Sequence, residues 1–93
     1  MERVVDDWFI QTQNDIIQDK IESIKFWNKD IAFNLRLRDK AKDSKNIFLL
    51  NDLIEEEQKY IRALWESIDF NRRLANDARK RKNNLVVRNA VRA

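Results

Sequence analysis

The chain has 93 residues with no Gly, Pro, Cys or His, and 19 bases against 16 acids give it a net charge of +3. This length makes one domain at most, and a chain without Gly or Pro lacks the residues that tight β-hairpin turns require, which argues against a sheet fold. Without Cys or His there is no disulfide framework, no ordinary zinc site and no Ser–His or Cys–His catalytic pair.

The opening segment, Met1 to Asp7, is too acidic for a signal or transit peptide. No stretch approaches the roughly 18 apolar residues that span a bilayer. The expectation is a soluble, intracellular chain, cytoplasmic by default, with no membrane insertion. A first helix is expected over about 3–42, a turn over about 43–46, and a second helix over about 47–82. Residues 84–92 are expected to form a short or frayed C-terminal helix. The turn rests on Asp43-Ser44-Lys45-Asn46, the best cluster of turn formers in the chain. Asp15-x-x-Gln18 and Asp52-x-x-Glu55 fit capping boxes, although both can equally lie inside longer helices.

Residues 14–46 and 51–83 align at an offset of 37 without a gap, with 12 identities in 33 positions. Among them are Asn14/Asn51, Ile17/Ile54, Ile24/Ile61, Ile31/Ile68, Phe33/Phe70, Asn34/Asn71 and Ala41/Ala78. This agreement reads as a tandem duplication of one helical unit. Ile10, Ile17, Ile24 and Ile31 recur every seven residues, as do Ile47, Ile54, Ile61 and Ile68, and form one apolar stripe per helix. A second facet, Trp8, Phe26, Phe33 and Leu37, is matched by Ala63, Phe70 and Leu74.

The expected fold is all-α: a long antiparallel helical hairpin, completing a four-helix bundle by dimerisation or by docking on a partner. A compact three-helix monomer is the alternative. The second facet supplies the expected partner or dimer interface, Trp8, Phe26, Phe33, Leu37, Phe70 and Leu74. Asn34 and Asn71, at equivalent places between the facets, are expected to act as register-setting amides.

Charge is uneven along the chain. Residues 71–93 hold eight bases against one acid, Asp77. Arg72, Arg73, Arg79, Lys80, Arg81, Lys82, Arg88 and Arg92 therefore form a candidate polyanion-binding segment, whose competing explanation is pairing with the acidic start, Glu2, Asp6 and Asp7. Only one cluster suggests catalysis: Asp52, Glu55, Glu56 and Glu57, where carboxylates could gather Mg²⁺. Acids at a helix start are ordinary, so this cluster reads as structural. The function expected is a non-enzymatic interaction or assembly subunit, with no cofactor, metal or small-molecule substrate, whose partner is itself or another protein. RNA or DNA backbone binding through 71–93 is the second reading.

Overall fold

The computed structural model describes residues 2–92, with side-chain positions for 6–84. Two helices, α1 (Glu2–Lys40) and α2 (Ser44–Arg92), pack as an antiparallel hairpin, and no strand occurs among the described residues. The interior of each helix lacks Gly and Pro, so nothing in the sequence interrupts either one.

The connection is shorter than the turn-former cluster suggests and lies slightly before it. Asp43 closes it from the α2 side. Its carbonyl accepts the Ile47 N–H at 3.1 Å, the first α-helical bond, and its Oδ1 accepts the Lys45 N–H at 3.0 Å. Asp43 is thus the N-cap, and Ser44, Lys45 and Asn46 become the first turn of α2 instead of the link. On the α1 side the Ala41 N–H donates to the Arg38 carbonyl at 3.2 Å, a tightened last turn that takes the place of a Gly cap. Arg38 and Lys40 stand at this end, where the helix dipole favours cations. Both expected capping boxes lie inside helices. α2 also runs on through 83–84 to Arg92, because Asn83 and Asn84 meet no Pro or Gly that would stop it.

Burial follows a heptad. In α1 the shielded seam runs through 10, 13, 17, 20, 24, 27, 31, 34 and 38, and continues to 41 just beyond the helix; in α2 it runs through 47, 50, 54, 57, 61, 64, 68, 71, 75, 78 and 82. The seven-residue isoleucine series supplies every a position from 10 to 31 and from 47 to 68. The d positions are mixed in character: Gln13, Lys20, Trp27 and Asn34 in α1, mostly polar, then Leu50, Glu57, Leu64 and Asn71 in α2, alternately apolar and polar.

The hairpin divides into two compact units. One comprises residues 20–66, the other residues 1–19 with 67–93. In the 20–66 unit Ile24 and Ile54 are buried. Trp27 meets Phe26 edge-on at 5.4 Å and Tyr60 at 5.1 Å between ring centroids. In the other unit Ile68, 0% exposed, is the largest fully covered side chain, and Ala75 and Ala78 are buried with it. Small side chains there let the helix backbones approach closely.

Candidate interaction surfaces

An antiparallel heptad pair has two flanks. Positions g and c of both helices lie on one, beside the d residues; positions e and b of both lie on the other, beside the a residues. The cross-helix contacts obey this rule within each unit. Asn34 with Glu57 and Trp27 with Tyr60 fall on the d side, whereas Arg38 Nη1, donating to Asn51 Oδ1 at 3.0 Å, falls on the a side.

In the 20–66 unit the d-side flank is apolar and open. Phe26, Phe33 and Leu37 from α1 and Leu49, Leu53 and Tyr60 from α2 are all between 40% and 62% exposed. Of the residues expected at an interface, this flank gathers Phe26, Phe33 and Leu37. Leu49, Leu53 and Tyr60 join them and were not singled out by the repeat. In the other unit Trp8 and Phe70 are exposed, while Leu74 is only half-open and packs partly into the hairpin.

Asp30 lies on the apolar flank between Phe26 and Phe33, and beneath it is a small polar group. Asn34 and Glu57 are both buried. Asn34 Nδ2 donates to Glu57 Oε1 at 2.5 Å and reaches Asp30 Oδ2 at 3.5 Å. Glu57 Oε2 has no hydrogen-bond partner of normal geometry. Burial pushes the Glu57 carboxyl above its ordinary value of 4.5, and the neighbouring Asp30 pushes it further; the Asn34 amide opposes both. The cover over Glu57 is a single layer of side chains, because a two-helix hairpin has no deeper interior.

Asn71 takes the equivalent place in the other unit, buried, with Nδ2 donating to Gln13 Oε1 at 2.6 Å. Each of the two asparagines thus bonds a buried polar residue of the opposite helix. Glu57 and Gln13 were not expected as their partners; the signal that finds them is the d series, whose polar members read as outward-facing when apolar residues alone mark the seam.

The carboxylate cluster separates on folding. Glu57 turns inward, while Asp52, Glu55 and Glu56 are exposed and Lys59 lies 3.6 Å from Glu55 and 3.5 Å from Glu56. Among the described residues no three such side chains are placed to hold a metal ion together.

The basic segment is partly engaged within its own unit. Lys82 pairs with Asp7, and Arg81 approaches Asp6 to 4.0 Å. Arg72 lies 3.8 Å from Asp69, and Arg79 Nη1 donates to Asn76 Oδ1 at 3.0 Å. Arg73 and Lys80 are exposed at f positions, facing away from the seam. The side chains of Arg88 and Arg92 lie outside the described residues. Among the described residues no helix is long and apolar enough to cross a membrane.

The class these features define is an all-α, two-helix antiparallel hairpin. No protein-family model, curated protein or solved structure matches the chain.

Proposed function

We propose that the chain is a non-enzymatic assembly subunit in which the apolar flank of residues 20–66 pairs with the same flank of a second copy, completing a four-helix bundle. The observation that carries this reading is the convergence of Phe26, Phe33, Leu37, Leu49, Leu53 and Tyr60 on one flank, all substantially exposed. Half-exposed side chains of this size leave on the order of 100 Å² each in water. Together they reach the upper end of the few hundred Å² of contiguous apolar surface that monomers carry.

Charge favours a second copy as the occupant. Lys40 follows Leu37 on this flank and Asp30 precedes Phe33, so the surface carries both signs. An isologous contact, turned about the Phe33–Leu37 segment, sets Lys40 of one copy against Asp30 of the other.

Sedimentation velocity over a wide concentration range tests the proposal. The expected result is a concentration-dependent dimer that Phe33→Glu with Leu53→Glu converts to a folded monomer. A chain that stays monomeric at every concentration, or a dimer indifferent to these substitutions, overturns it.

A further inference from the structure

In the unit formed by residues 1–19 and 67–93, the a-side flank holds an open groove of about 300 Å³ between the helices. It is lined by Asn14 and Ile17 from α1 and by Arg72, Ala75, Asn76 and Arg79 from α2. Ala75, buried at an a position, and Ile17 form its floor. The floor is therefore apolar and the rim polar.

Arg72 and Arg79 are one heptad apart on the same e row, about 10.5 Å along the helix. Arg79 uses one of its five N–H donors on Asn76. Arg72 shares only an exposed, 3.8 Å pairing with Asp69, the kind that contributes little. Two guanidinium groups and two amides thus surround the opening, and no carboxylate lines it.

The geometry points to this groove as a binding site for the phosphodiester backbone of a nucleic acid, lying along α2 with Arg72 and Arg79 on phosphates of one strand. Two arginine side chains about 10.5 Å apart along the helix can reach separate phosphates of one strand. Arg groups at such a spacing position the strand, while Asn14 and Asn76 face the sugar and base edges between the contacts. A lipid surface fits less well, because membrane binding by a basic helix requires bulky apolar side chains inserted beside the cations, and the one large apolar side chain lining this groove, Ile17, sits in its floor at a seam position. The site shares no residue with the assembly surface, which lies within residues 20–66.

The test is the anisotropy of short fluorescein-labelled RNA and DNA duplexes titrated with the full chain at several salt concentrations. A charge-matched pair of double variants separates a site from general positive charge. Arg72→Gln with Arg79→Gln is expected to weaken binding about tenfold or more and to lower the slope of log K against log salt by about 2, near 0.9 for each lost phosphate contact. Arg73→Gln with Lys80→Gln removes the same charge from the outward f row and is expected to keep the slope and to change affinity less than about threefold. Asn76→Glu places a carboxylate between both arginines and is expected to abolish binding with all cations retained. All five positions are exposed, so helicity by circular dichroism should be preserved in each variant. Equal losses in the two doubles, salt-independent or absent binding by the unaltered chain, or preference for phosphatidylserine vesicles over the oligonucleotides would each overturn the inference.

Discussion

Asn34 on α1 donates a 2.5 Å hydrogen bond to Oε1 of Glu57 on α2, while Oε2 of the same carboxylate lies buried without a partner. This half-satisfied contact sits in the seam directly under the apolar flank, and its consequences are measurable.

The pH dependence follows from the direction of the Glu57 shift. A carboxyl whose pKa is raised on folding binds its proton more tightly in the folded chain than in the unfolded one. Between the ordinary value of 4.5 and the raised folded value, stability attributable to Glu57 therefore falls as pH rises, and above that window the full penalty of a charged, covered carboxylate remains. Glu57→Gln keeps the Oε1 acceptor for Asn34 and cannot ionise. The expected outcome is a higher Tm than the parent at pH 7, with the difference closing as pH drops below 4.5, read by thermal circular dichroism at fixed protein concentration.

Removing the donor has the opposite sign. Asn34→Ala strands Glu57 with no amide, and a buried polar group that loses its partner costs about 1–3 kcal/mol. Replacing both residues with Leu avoids that cost and should restore or exceed the parent stability. The Leu pair should also lose the distinction between registers that a buried amide enforces. Urea denaturation of the two single variants and the double variant measures the coupling directly.

How much of this was legible beforehand depends on which seam position is considered. The isoleucines at a positions are apolar, evenly spaced and repeated in both helices, so the hairpin and its seam could be read from their period. The d positions could not be read the same way, because Gln13, Lys20, Asn34, Glu57 and Asn71 look like surface residues until a partner helix covers them. Phe26, Phe33 and Leu37 stood out as a second facet by spacing. Leu49, Leu53 and Tyr60 did not, since the residues 37 positions earlier are Thr12, Ile16 and Ser23, and only the antiparallel geometry brings those side chains beside the phenylalanines. Composition alone sets the turn slightly late, because it marks Ser44, Lys45 and Asn46 as loop formers, whereas the carboxylate of Asp43 holds them in the first turn of a helix.

Charge reversal examines the symmetric pairing at the flank. Lys40→Glu is expected to weaken self-association several-fold by opposing two carboxylates, and adding Asp30→Lys to the same chain should recover it. Sedimentation equilibrium reads both, and failure of the second substitution to rescue the first would remove the proposed orientation.

Two substitutions probe the frame itself. Ile68→Ala empties the position of the largest fully covered side chain; such truncations cost about 2–5 kcal/mol, and an open seam that can relax places the expectation in the lower half of that range. Asp43→Ala deletes the cap of α2 and should cost about 1 kcal/mol, with Asp43→Asn nearly neutral because Asn caps as well. Chemical denaturation with far-ultraviolet detection distinguishes the two magnitudes.

The cap at Asp43 also determines the order in which the chain closes. Arg38 and Asn51 are separated by 13 residues, Gln13 and Asn71 by 58, and Asp7 and Lys82 by 75. Loop-closure entropy grows with the logarithm of length, so joining the most distant pair directly costs about 1.6 kcal/mol more than joining the nearest. Folding is therefore expected to zip outward from Asp43, with the ends meeting last and parting first. The groove between Arg72 and Arg79 belongs to that late-closing stretch, so an anion seated there would act as a clasp, slowing the release of the ends while leaving the turn untouched.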